Sequence, residues 1–431
     1  MHTTAPIEAH DLLHFIDASP TPYHAVAEGV RRLEAAGFVA WREEDVWQPD
    51  PGAKAYVVRN GGSLIAFQVG AQPPAESGFH VIGAHTDSPN LRLKPRPDRV
   101  AEGVRVLEVA TYGGVLLHTW FDRDCSLAGR VVVRRDGRRH AVLVDLERPL
   151  LRVSDLAIHL QRDVRADGFK PNPQTQIAPV LGLADAPDLV GLLRPALAAA
   201  GAGDLAPGDL LAHELMLYDV QPSALSGPRE EMIHAPRLDN LASCHAAVRA
   251  LTAGDGRAAA FTRVIALWDH EEVGSRSAQG ADGSFLPDVL ARLAGDDMAL
   301  RRAIARSTLI SADMAHAAHP NHGEKHDPLN RPQLGRGPVL KHNADQRYAT
   351  DALSAAVFRE LCLEVGVVAQ DFAVRNDMPC GSTIGPISAS RLGLSTVDVG
   401  NPMLSMHSAR EMACTDDVGP MIRVLRRWLE T

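Results

Sequence analysis

The sequence predicts an α/β fold, a mostly parallel sheet covered by helices and interrupted by a β-rich insertion. Three observations predict it. Apolar, β-branched runs alternate with amphipathic helical stretches toward both ends of the chain. The middle of the chain changes to short strands separated by turn residues. Acidic residues and histidines fall just past the carboxyl ends of predicted strands, where open α/β sheets bind ligands.

Taken in order, Leu12, Leu13, Phe15 and Ile16, then Ala25, Val26, Val30 and Leu33, follow helical spacing, and Ser19-Pro20-Thr21-Pro22 separates the two helices. Strands are predicted at Tyr56 to Val58, Leu64 to Val69 and Phe79 to Gly83. From about residue 93 short strands dominate, including Gly129 to Val133 and Ala141 to Leu146 around an Asp136-Gly137 turn. Residues 183 to 208, rich in Ala, Gly, Pro and Asp, read as a surface helix with linkers, and a strand follows at Glu214 to Val220. After Pro236 helices and strands alternate again. A helix spans about Asn240 to Leu251, strands lie near Val264 to Leu267, Thr308 to Ala312 and Leu394 to Val399, and a helix closes the chain around Ile422 to Leu429. At 431 residues, one large domain with a smaller insertion at 93–232 is the expected organisation.

Composition excludes several functions. A net charge of −9 provides no basic footprint for nucleic acid or an anionic membrane. The N-terminus, with His2, Glu8, His10 and Asp11, carries no secretory signal pattern, and no run of eighteen apolar residues occurs. The five cysteines, Cys125, Cys244, Cys362, Cys380 and Cys414, are scattered and odd in number, which fits a reducing, cytoplasmic compartment.

Five segments deliver ionisable residues to one sheet edge: His85 with Asp87, Asp239, Glu271 with Glu272, Asp313, and His407. Singly, each has a plain reading; Asp239, for instance, would cap a helix. Together, carboxylates crowded out of water repel one another and protonate unless cations neutralise them. Two histidines and three carboxylates without thiolates suit zinc, manganese or cobalt in an open, catalytic site. Asp239 is the candidate bridge between two ions, an arrangement that activates water near neutral pH. Adjacent residues at a strand end point apart, so Glu272 is assigned to metal and Glu271 to the proton transfers. Asp87, two residues past His85, is placed to accept the other imidazole N–H if the strand continues.

These residues lie in segments that resemble the M18 aspartyl aminopeptidases, within the clan of dinuclear zinc exopeptidases. The segments include Ala84-His85-Thr86-Asp87-Ser88-Pro89, Arg237-Leu238-Asp239-Asn240, His270-Glu271-Glu272-Val273-Gly274-Ser275, Asp313-Met314-Ala315-His316 and Met406-His407-Ser408-Ala409-Arg410-Glu411. The resemblance implies a zinc-exopeptidase catalytic domain at 1–92 and 233–431, an inserted β-rich dimerisation domain at 93–232, and a tetrahedral homododecamer. It implies one zinc ion on His85, Asp239 and Asp313 and a second on Asp239, Glu272 and His407. It further implies substrates with an N-terminal Asp or Glu, for which Lys341 is the first candidate cation, Arg347 and Arg375 are further ones, and Tyr348 is a candidate substrate-binding residue. His159 matches a histidine that reaches a neighbouring subunit's active site. His316, His319, His322 and His326 are read as site wall or subunit contact. A general aminopeptidase or a deacylase of the same clan, and a catalytically silent scaffold, are the competing readings.

Overall fold

The structure, a computed structural model, describes residues 5–201, 206, 208–254 and 256–431. Two compact units divide the chain: Met1–Asp87 with Ser223–Met406 and Glu411–Thr431, and Ser88–Pro222 with His407–Arg410.

The first unit is built on a nine-stranded sheet, in spatial order Val39–Ala40, Lys54–Arg59, Ser63–Gln68, Thr262–Trp268, Phe79–His85, Thr308–Ala312, Ser395–Gly400, Val339–His342 and Gln370–Ala373. The strands Thr262–Trp268, Phe79–His85, Thr308–Ala312 and Ser395–Gly400 run parallel to one another. They read as nearly continuous apolar runs because helices bury both faces. One face packs Leu12, Val26, Leu241 and Val424 from four helices, and the other packs Phe285, Val289 and Ile384. Register levels the strand ends: Trp268 lies opposite His85, and Ala312 opposite Val399. The loops leaving these strands therefore start from a common crest. A five-stranded sheet joins Glu411–Cys414 to Met232–Ala235 and Pro402–Leu404.

The second unit is an antiparallel six-stranded sheet, ordered Arg138–Asp145, Cys125–Arg135, Leu210–Asp219, Asn90–Ala101, Val104–Tyr112 and Val180–Leu183. Its core combines Leu91, Val109, Leu127 and Leu215 with Leu193 of the helix Leu189–Ala199. The predicted Asp136-Gly137 turn is present, with both residues at positive φ (50° and 71°), as a two-residue hairpin turn requires.

The unit boundaries differ from those expected at 93 and 232. The first strand of the six-stranded sheet already begins at Asn90, while Ala224–Ser226 and Met232–Ala235 pair into the sheet that holds Glu411–Cys414. Of the stretch read as helix and linkers, 202–205 and 207 lie outside the described residues, as does His2.

Candidate metal centre and active site

His85 ends its strand with 1% of its surface exposed. Its Nε2 lies 3.3 Å from Asp239 Oδ1 and 3.5 Å from Asp313 Oδ1. On the other side of the ring, Nδ1 lies 3.0 Å from the Asp87 carbonyl oxygen and 3.4 Å from its carboxylate. The strand stops at His85, so the backbone carbonyl is the nearer acceptor. The Asp87 carboxylate also accepts the backbone N–H groups of Glu271 and Glu272, both at 3.1 Å.

Asp239 stands where the helix Leu238–Thr252 opens irregularly: Arg237 is left-handed, and Asp239 and Asn240 are not helical. The helix-capping reading of Asp239 thus gives way to a turn with its own anchors. The Arg237 guanidinium donates to the carbonyls of Ser19 and Ile16, the Asp239 N–H donates to Glu411 Oε2 at 3.1 Å, and the Asn240 amide donates to the Ala312 carbonyl at 2.9 Å.

Glu271 and Glu272 occupy a 3-10 turn entered through His270 at φ 69°. The His270 ring meets the Ser277 hydroxyl at 2.8 Å, and the His270 backbone N–H donates to the Asp269 carboxylate. Strand-end alternation does not govern this turn. Contrary to the expected divergence, His85, Glu271 and Glu272 each offer a ligand atom within 4.8 Å of one another. Positive-φ residues before both acidic turns place local backbone strain at the site.

Asp313 leaves its strand with its N–H on the Val399 carbonyl at 2.9 Å. Gly400 passes so close that a Cβ there would sit 1.8 Å from the Asp313 carbonyl oxygen, so only glycine permits the approach. Lys341, 2% exposed, places Nζ 3.4 Å from Asp313 Oδ2 and 5.5 Å from the Tyr348 ring centre.

The electrostatics follow from crowding. Burial alone would lower the His85 pKa, but Asp239, Asp313 and Asp87 outweigh it and hold the imidazole well above its ordinary value. Glu271 is raised well above the carboxylate range by burial and by Asp313, Glu272 and Asp87, against the pull of His85. His85, Asp239 and Asp313 place one ligand atom each within 4.8 Å of one another, a nitrogen and oxygen donor set that fits zinc. Cys244 is close, but among the described residues no metal-capable group of three includes it. Its Sγ–H donates to the His85 carbonyl at 3.0 Å, and burial pushes its pKa up to about 12.

Other expected residues fall differently. Tyr348 is buried and bonded to Cys380, and its phenol is raised above its usual range by burial. With His316, His319, Phe372 and Cys380 it lines a cavity of about 300 Å³ in the first unit. His326 lines the same cavity and accepts the His319 N–H, while His322 lies 3.5 Å from Glu324; among the described residues no metal-capable group of three includes this cluster. Arg347 is exposed, and Arg375 is held by Asp377 at 2.8 and 2.7 Å, which gives it a loop-bracing role. His159 lies in the second unit, exposed on the 3-10 turn Ile158–Leu160. His407 belongs to the second unit too, at φ 68° with Nδ1 3.2 Å from the Gly114 carbonyl oxygen.

Three supporting residues escaped the sequence reading. Glu411 and Asn240 hold the Asp239 turn, and fully buried Asp398 accepts the Thr383 hydroxyl and the Ala349 N–H at 2.6 Å each. Asp398 had a legible signal, since an acid inside the apolar run Val397-Asp398-Val399 requires dedicated partners. Glu411 and Asn240 are recognisable only once the turn is folded.

The profile of the aminopeptidase I zinc metalloprotease (M18) family matches residues 15–428. The chain belongs to the M18 family. This M18 chain is therefore a zinc-dependent aminopeptidase, a hydrolase, with the zinc-exopeptidase fold. It is 47% identical over 418 residues to the probable M18 family aminopeptidase 2 of Stutzerimonas stutzeri (strain A1501), covering 96% of both chains. Among solved structures, the Ape4 and Nbr1 complex contains a chain 40% identical with a TM-score of 0.93, covering 98% of this chain and 85% of that one. The S. cerevisiae mApe1 dodecamer is 31% identical with a TM-score of 0.84, covering 98% and 97%. Among the described residues no helix is long and apolar enough to cross a membrane.

Proposed function

We propose that this M18 aminopeptidase removes acidic N-terminal residues with two zinc ions per subunit, one on His85, Asp239 and Asp313 and one on Asp239, Glu272 and His407. Manganese or cobalt would suit the same donors. The observation that carries the reading is the buried set of carboxylates around His85, with Asp239 and Glu272 each offering an oxygen within 4.8 Å of the other. When bound, the divalent metal polarises the scissile carbonyl and acidifies water.

Glu271 takes the proton of the attacking water and returns it to the departing amine; burial and neighbouring acids raise its pKa above the ordinary carboxylate value. Asp87 holds both N–H groups of the Glu271-Glu272 turn and so orients base and ligand together. Glu411 and Asn240 hold Asp239, and Lys341 lies against Asp313.

Lys341 is also the cation proposed for the substrate's acidic side chain. An ammonium has three N–H donors, so one directed at Asp313 leaves others for a substrate carboxylate. The cavity lined by Tyr348 supplies space, and exposed Arg347 is a secondary candidate cation. The second unit is proposed to mediate dimerisation, and the whole chain to assemble as a dodecamer like the S. cerevisiae mApe1 dodecamer, with His159 serving a neighbouring subunit's site. A reducing, cytoplasmic setting fits the five free cysteines.

Steady-state assays on Asp-, Glu-, Leu- and Lys-anilides test the specificity. The highest kcat/KM is expected for Asp or Glu. A preference for Leu would make the enzyme a general aminopeptidase, and turnover of substrates with a blocked α-amine would make it a deacylase.

A further inference from the structure

We propose that Asn240 is a positioning residue of the metal centre, its carboxamide tying the turn that presents Asp239 to the strand end that presents Asp313. The inference rests on the reading of Asp239 and Asp313 as zinc ligands. Asn240 is completely buried, and its Nδ2 donates to the Ala312 carbonyl at 2.9 Å. Ala312 is the last residue of its strand and directly precedes Asp313. The carboxamide oxygen of Asn240 has no hydrogen-bond partner among the described residues, so the link to Ala312 is the side chain's one recorded hydrogen bond.

The geometry makes this link a spacer between two otherwise separate supports. Asp239 is held on one side by Glu411 through its own N–H, and Asp313 on the other by the Val399 carbonyl. Those anchors tie each acid to a different sheet, Asp239 to the five-stranded one and Asp313 to the nine-stranded one. Asn240 directly bridges the two ligand-bearing segments. His85 Nε2 lies between the carboxylates, 3.3 and 3.5 Å from them, so a change in their separation alters the whole donor triangle.

Side-chain chemistry narrows what position 240 accepts. Aspartate has the shape of asparagine but, ionised, has no donor, so it would face the Ala312 carbonyl with an acceptor and add charge beside Asp239. Alanine would break the tether without adding charge. Serine would keep a donor too short to reach. Groups that orient metal ligands from behind commonly account for about 10- to 100-fold in metal affinity, and the same loss is expected here.

The test uses full-length protein stripped with a chelator and reloaded with metal. Zinc affinity is measured by competition with a chromophoric chelator, and the visible absorption of the cobalt(II) form at saturation reports ligand geometry. For Asn240→Ala and Asn240→Asp we expect zinc to bind about 10- to 100-fold more weakly, the saturated cobalt spectrum to change, and kcat to fall more than KM rises. If Asn240→Ala does not fold, Asn240→Ser takes its place with the same expected spectral change. Folded variants with lowered melting temperature but the parental zinc affinity and cobalt spectrum would overturn the proposal, because a side chain that only fills the core leaves both unmoved. Asp239→Asn is the control: unchanged zinc binding there would refute the ligand reading itself, whatever position 240 does.

Discussion

At the scale of single residues, Glu271 separates a metal-binding shell from a working enzyme. Metal ligation requires no second carboxylate beside Glu272, yet Glu271 lies within reach of His85 and is raised by burial. Glu271→Gln preserves volume and removes the basic oxygen. It is expected to keep its metal and lose on the order of 10²-fold or more in kcat, read by steady-state kinetics alongside metal analysis; undiminished turnover would remove Glu271 from the chemistry. His85, Asp239, Glu272 and Asp313 were legible in the sequence because each stands just past a strand or at a helix entrance. Asp87 was legible as a residue beside His85, but its hold on the Glu271-Glu272 turn was not, since two-residue periodicity says nothing once the strand has ended. Arg375 shows a similar limit: a cation in the sequence does not reveal its partner, and Arg375 is already occupied by Asp377.

Among elements, the parallel strands were readable from their unbroken apolar runs, and the Asp136-Gly137 hairpin from its turn chemistry. The strands Val339–His342 and Gln370–Ala373, one of which carries Lys341, are four residues each and too short for periodicity to announce. The strand Phe79–His85 carries a pH-sensitive brace at its opposite end from His85. His80 is stacked between Phe261 at 3.5 Å and Trp428 at 4.0 Å, with Nδ1 on the Trp428 carbonyl at 3.0 Å. Burial lowers its pKa from 6.5 to about 4, against that hydrogen bond. A folded-state pKa below the unfolded one means the unfolded chain binds the extra proton first, so this contribution is full above about 6.5 and is lost as pH falls toward 4. His80→Phe keeps the stack and removes the titrating group. Compared by urea denaturation at pH 7 and pH 4.5, the wild-type midpoint is expected to fall further than the variant's; equal falls would rule out His80 as a source of acid sensitivity.

For the whole molecule, the sequence texture separated an α/β part from a β-rich part, while the boundaries depend on pairing that composition does not encode. Met232–Ala235 reads like any strand of the insertion until its partner, Glu411–Cys414, is known. His407 shows the same dependence, since it follows an α/β strand in sequence and is grouped with the other unit in space. The central claim is that this chain gathers buried acids and histidines to hold a pair of divalent cations. Quantitative metal analysis of the purified, dialysed and fully active enzyme tests it most directly. Two zinc ions, or two equivalents of manganese or cobalt, per chain are expected; full activity with one equivalent or none would contradict the account.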